Sequence, residues 1–163
     1  MVHLFRQALG RSCLRMTTGD KNMSNNELKP LNWEPNKGIG YTVTRRPDGG
    51  MHFVFFDVTH TTLEHWRAFS LDHLLDSDRL TRNLYDLRQL DELPDEAVQY
   101  AVEVNNDPSV RNIRLAVVAT NNHVIQSLRK ITALTTPGGV EMGLFGDIEE
   151  AEAWLDRPLT IVV

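Results

Sequence analysis

One apolar run organises the hydrophobic pattern of this chain. Ile113 to Thr120 reads I-R-L-A-V-V-A-T, with only Arg114 interrupting it. A strand with one wet face alternates apolar and polar residues. A run apolar on both faces suits a parallel strand covered by helices on either side. Burial of Ile113, Leu115, Val117 and Val118 is worth roughly 1.5–3 kcal/mol each before entropy is subtracted. Asn121 and Asn122 follow as N-cap residues, because a side-chain oxygen there accepts an otherwise unpaired amide. Val124, Ile125, Leu128 and Ile131 then recur at helical spacing. Strand, polar turn and amphipathic helix make half of a βαβ unit.

The same pattern extends along the chain. Tyr41 to Arg46 and Met51 to Val58 predict two strands, joined by the turn residues Pro47-Asp48-Gly49-Gly50 into an antiparallel hairpin. Thr61 and Glu64 have the spacing of a capping box for a helix over about Thr62 to Leu75, with Leu63, Trp66, Leu74 and Leu75 as its stripe. Thr81 to Leu87 predicts a third strand. Pro94 opens a helix whose first-turn acids, Asp95 and Glu96, suit its positive end. Val98, Ala101, Val102 and Val104 line that helix, and Asn105-Asn106-Asp107-Pro108 stops it. Val140 to Phe145 predicts a fifth strand, and Asp147 with Glu150 caps a last helix packed by Ala151, Trp154 and Leu155. Leu159 to Val163 reads as a short edge strand or a strap. The order is β-β-α-β-α-β-α-β-α. With right-handed crossovers it predicts an α/β fold: a mixed sheet of about five strands, an antiparallel N-terminal hairpin, and helices packed on the sheet.

Composition adds limits. The chain has 163 residues and 41% hydrophobic content, enough for one domain plus a tail. Residues 1–37 read as flexible tail and linker, and 38–163 as the domain. Met1 to Gly19 carries Arg6, Arg11 and Arg15 and no acid, the composition of a mitochondrial transit peptide. The alternative is a basic tail upstream of a true start at Met16 or Met23 in a cytoplasmic protein. Trp33 is placed to staple the polar linker to the domain. A net charge of −5 argues against nucleic acid as partner. Cys13 is the single cysteine, so no disulfide framework forms within the chain. No apolar run nears the roughly 18 residues that span a bilayer.

Candidate catalytic chemistry is sparse. None of the six histidines has a metal-ligand spacing such as H-E-x-x-H. His65 and His73 lie about 80° apart around their predicted helix, poor geometry for joint ligation. Asp91-Glu92 and Glu149-Glu150 read as solvated helix ends. No catalytic residue, metal or cofactor is expected. Trp66, Phe69, Leu74 and Leu75 form either a core stripe or one wall of a pocket for a lipid or small apolar ligand, between the first helix and the sheet.

Three stretches resemble the STAS domain, and within it the stand-alone SpoIIAA-like proteins. They are Leu84-Tyr85-Asp86-Leu87, the run Ile113 to Thr120, and Leu144-Phe145-Gly146-Asp147 followed by Glu150 to Leu155. The resemblance covers about Gly38 to Asp156. It implies a non-enzymatic regulatory module that binds a protein partner, and self-association as a homodimer is compatible with it. In the anti-sigma-factor antagonists of that family, a phosphorylated serine opens the helix after the acidic strand. The matching place here holds Asp95 and Glu96, with no serine. These acids either mimic a permanently charged state or are ordinary first-turn acids. The expected docking surface is the start of this helix together with the Asn121-Asn122 turn, at the carboxyl ends of neighbouring strands. Leu90 and Leu93 either supply apolar contact there or are buried staples.

Overall fold

The structure, a computed structural model, describes residues 37–74 and 79–158. The basic tail, Trp33, Leu75 and Leu159 to Val163 lie outside the described residues. Nine elements follow in order: β1 (Tyr41–Arg45), β2 (Met51–Phe55), α1 (His60–Leu74), β3 (Thr81–Asp86), α2 (Asp95–Asn106), β4 (Ile113–Val118), α3 (Asn122–Leu134), β5 (Val140–Phe145) and α4 (Ile148–Leu155). The sheet order is β1-β2-β3-β4-β5. β1 and β2 pair antiparallel, and every later pair is parallel. The fold class is as the sequence predicts. The middle strand of the five is β3, while the doubly buried run is its neighbour β4.

The hairpin turns as its residues demand. Arg46 N donates to Gly50 O at 2.8 Å, and Gly49 sits at φ 89°. A Cβ on Gly50 would lie 1.7 Å from Arg82 O, so only glycine fits beside β3 there. β2 is shorter than expected and stops at Phe55. Phe56 is 49% exposed, and Asp57 leaves the ladder to accept from the Thr59 and Thr62 hydroxyls. The capping expected of Thr61 and Glu64 shifts by two residues. α1 begins at His60, and Thr59 Oγ1 accepts from Thr62 N at 3.3 Å. Two threonines at suitable spacing compete for this cap, and Asp57 favours the first by bonding Thr59.

β4 separates two apolar layers. Ile113, Val117 and Ala119 face α1, α2 and α3, in a core with Tyr41, Phe53, Trp66, Val98, Val124 and Leu128. Ala116 and Val118 face the other way, with Leu84, Ala151 and Leu155 under α4. The register sets Leu84, Ala116 and Gly143 side by side across β3, β4 and β5. This row of shrinking side chains lets α4 descend onto the sheet. A Cβ on Gly143 would come within 2.7 Å of the Phe145 ring and 3.1 Å of Trp154.

Arg114, the lone charge in the apolar run, is 5% exposed on this face. Its Nη1 donates to Leu155 O at 3.3 Å and Arg157 O at 2.5 Å, and its Nε to Glu141 Oε2 at 3.1 Å. Arg82 Nε donates to Leu155 O at 2.7 Å. Two guanidinium groups thus satisfy carbonyls at the negative end of α4, while Asp147 caps its start by accepting from Glu150 N at 2.8 Å. An eight-residue helix is too short to persist alone, and these end contacts hold it.

Ala116 leaves no room for a larger side chain beneath α4. Ala116→Leu is expected to destabilise the domain by about 1–3 kcal/mol through overpacking, measured as a lower urea midpoint at unchanged slope.

Candidate functional site

The carboxyl ends of β3 and β4 lie side by side, because their register pairs Asp86 with Val118. Leu87 N extends the ladder to Val118 O at 2.9 Å. The chain then leaves β3 through a loop into α2, and leaves β4 through Asn121 into α3. Asp95 is exposed at the start of α2. Glu96 faces α1, where its carboxylate meets His60 Nδ1 at 2.5 Å. That contact, then the charges of Glu96 and Glu64, raises the His60 pKa. Asn121 Oδ1 accepts from His123 N at 2.8 Å and Val124 N at 3.4 Å, so its side chain is spent on the cap, while Asn122 is exposed. Leu90 is 4% exposed and belongs to the core, and Leu93 is half-buried against it. Burial makes Leu90 a staple, whereas Leu93 keeps part of its surface open to solvent.

Acids gather at this end from segments far apart in sequence. Asp91, Glu92 and Asp95 stand exposed beyond β3, and Asp147, Glu149 and Glu150 stand exposed beyond β5. Parallel crossovers return every strand to the same end, so loops some fifty residues apart share one rim. Asp86 lies beneath it. Arg88 grips this carboxylate with Nε at 2.9 Å and Nη2 at 2.8 Å, and its backbone N–H adds a third bond at 3.1 Å. Burial pushes the Asp86 carboxyl up, but the Arg88 hydrogen bonds and charge outweigh it and hold the pKa below the usual carboxylate value.

A second feature lies between the helices and the sheet. A partly open cavity of about 80 Å³ lies between α1, α2, α3 and the sheet, with Trp66, Leu74, Tyr85, Leu90, Ala97 and Ala101 in its wall. Its origin is geometric. α2 turns small Ala97 and Ala101 toward the sheet, and they do not fill the space above Tyr85 and Val117. Of the four residues named for a pocket wall, Trp66 and Leu74 line this cavity. Phe69 does not: it packs edge-on against Phe53 at 5.8 Å and Tyr41 at 6.3 Å, deeper over β1 and β2. Leu75 lies outside the described residues. Tyr85 hydroxyl accepts from Trp66 Nε1 at 3.2 Å, and burial pushes its pKa up to about 12. The other polar side chains of the wall are bonded: Asn83 Oδ1 accepts from Met51 N at 3.0 Å, and Asn105 Nδ2 donates to Thr135 Oγ1 at 3.1 Å.

The helix histidines serve the fold. His65 Nδ1 meets Tyr41 hydroxyl at 2.6 Å, and His73 Nδ1 meets Phe69 O at 2.7 Å. Among the described residues no group of three or more His, Cys, Asp or Glu side chains is placed to hold a metal ion, and no helix is long and apolar enough to cross a membrane.

No family model and no curated protein matches the sequence. A crystal structure of an uncharacterised protein of the DUF3478 family from Shewanella loihica PV-4, described as having a SpoIIAA-like fold, is similar. The two share 20% identity with a TM-score of 0.53, over 76% of this chain and 99% of that one. The chain has the SpoIIAA-like fold that its motifs suggest, and at this identity the likeness speaks to fold alone. The three stretches carrying the resemblance are the end of β3, the whole of β4, and β5 with α4.

A depressed carboxylate stabilises the fold above its unfolded pKa, near ~3.9, and loses that contribution as pH falls through its folded value. Arg88→Ala is expected to cost on the order of 1 kcal/mol at pH 7, discounted because Arg88 is 43% exposed. Urea titrations of both proteins should show this gap whole above about pH 5 and closing below pH ~3.9.

Proposed function

We propose that this chain is a non-catalytic regulatory module that binds a protein partner, and that the rim at the carboxyl ends of the parallel strands is its docking surface. The observation that carries this reading is the charge of the rim. Asp91, Glu92, Asp95, Asp147, Glu149 and Glu150 are exposed at this end, and the one arginine exposed there with them, Arg88, is engaged by Asp86. Clustered charge of one sign steers a partner of the opposite sign and sets its orientation, so the partner presents a basic patch. Asp95 stands at the helix start where related modules carry a phosphorylated serine. A fixed carboxylate there keeps the positive helix end permanently neutralised and needs no kinase. We infer a cytoplasmic setting, with the mitochondrion as the alternative resting on the composition of Met1 to Gly19.

The cavity beneath α2 favours a second reading, in which the module binds a small apolar ligand between α1 and the sheet. The two readings use different surfaces and do not exclude each other.

Glu96 is occupied by His60, so charge reversal at Asp91 and Asp95 tests the rim without loosening α1 from α2. In-cell crosslinking followed by pull-down should recover at least tenfold less partner with Asp91→Lys/Asp95→Lys than with the wild type, at unchanged circular dichroism. Without crosslinking, the wild-type pull-down yield should fall as salt rises from 50 to 300 mM, which more than halves the screening length. Equal recovery from variant and wild type removes this surface.

A further inference from the structure

The two faces of the sheet are covered unequally. α1, α2 and α3 lie on one face. On the other, α4 packs on β3, β4 and β5. A helix is about 10–12 Å across and strands lie ~4.8 Å apart, so one helix covers only part of a five-stranded face. What is left is the back of β1 and β2. Their register sets Thr42 beside Val54 and Thr44 beside His52, and His52 beside Leu84 under α4. Thr44 is exposed, Thr42, His52 and Val54 are half-buried, and Phe56, next along on this side, is exposed. Val54 and Phe56 belong to neither apolar cluster. Among the described residues no helix packs on this strip.

The chain carries a segment of matching character. Leu159-Thr160-Ile161-Val162-Val163 follows α4 almost directly and is apolar but for one threonine. Pairing as a strand at either edge of the sheet is closed to it. α1, α2 and α3 carry the chain from β2 to β5 in one direction over one face. A parallel strand beyond β5, reached through α4 on the opposite face, would make that crossover left-handed, and about 98% of such connections are right-handed. The right-handed direction leads back toward β1. The position outside β1 is four strand spacings, or about 19 Å, from β4, where Arg114 Nη1 holds Arg157 O. Five extended residues span only about 17 Å, so none would be left to pair.

The bare strip is nearer. Arg114 pairs with Arg82 on β3, whose carbonyl lies against Gly50 at the start of β2. From Arg114, Val54 lies about 10 Å across and about 13 Å along, or about 17 Å in all, against ~20 Å for the six steps from Arg157 to Val163. Asp156 already leans this way, toward Arg46 at the end of β1 at 3.5 Å.

We propose that Leu159 to Val163 folds back over this strip as an intramolecular strap, its apolar side chains closing over Thr42, Thr44 and Val54. The strap completes the layer that α4 begins. Val54 pairs in register with Asp86, so the strap ends at the foot of the acidic rim.

Methyl-labelled full chain tests this by NMR. Nuclear Overhauser contacts are expected within one molecule, from the Ile161, Val162 and Val163 methyls to those of Val54 and Thr42. Ile161→Asp should abolish them and shift the signals of Thr42, Thr44, His52, Val54 and Phe56, at unchanged circular dichroism. A chain ending at Pro158 should shift the same signals. Contacts to Val140–Phe145 instead would make the segment an edge strand and overturn the proposal. Contacts seen only between differently labelled copies would give the strip to a second molecule and overturn it as well. A segment that makes no contact with the domain would do the same.

Discussion

The double burial of β4 is the constraint from which the rest of the architecture follows. A strand that hides both faces needs a layer on each side, and it needs paired neighbours on both edges. β3 and β5 supply the edges, α1 to α3 one layer, and α4 the other. Because β2 to β5 are all parallel, each crossover returns the chain to the same end of the sheet. The helix starts therefore collect on one rim, the acidic first turns of α2 and α4 among them. The one charge in β4 fits the same scheme. Arg114 would be prohibitive in an apolar strand without partners, but the end of α4 presents its last carbonyls there.

The two faces of the sheet solve the packing problem differently. Under α4 the row Leu84, Ala116, Gly143 is graded in size, so a short helix comes close and leaves no gap. On the other face the sheet carries large groups, Phe53, Tyr85, Leu115 and Val117, and α1 and α3 answer with Trp66 and Leu128. α2 answers with Ala97 and Ala101, and the cavity is the difference. One face is rigid because its parts interlock. The other contains a helix held by neighbouring helices and exposed charge pairs, which is where the domain has freedom to move.

The sequence made the fold legible where one physical signal dominates. The β4 run, the Pro47-Asp48-Gly49-Gly50 turn and the Asn121 cap each depend on residues within a few positions, and each forms as read. Reading became ambiguous where two local signals compete, as at Thr59 and Thr61, and Asp57 decides between them. It gave out where the outcome depends on distance between elements. Helical spacing places Trp66, Phe69 and Leu74 inward, but cannot tell that Phe69 meets rings on β1 and β2 while Trp66 and Leu74 meet a gap made by α2. Nor can it tell that Glu96 turns to His60, thirty-six residues away, or that Asp91 and Glu149 share one rim. These facts belong to the assembled sheet.

Native-state hydrogen exchange tests the central role of β4 most directly. If the doubly covered strand is what holds the domain together, the amides of Val117 and Val118 open only with global unfolding. They should then exchange at least tenfold more slowly than those of the edge strand β1, such as Thr42. Val117 and Val118 exchanging as fast as Thr42 would contradict the account, because the strand on which both layers rest would then open without the rest of the fold.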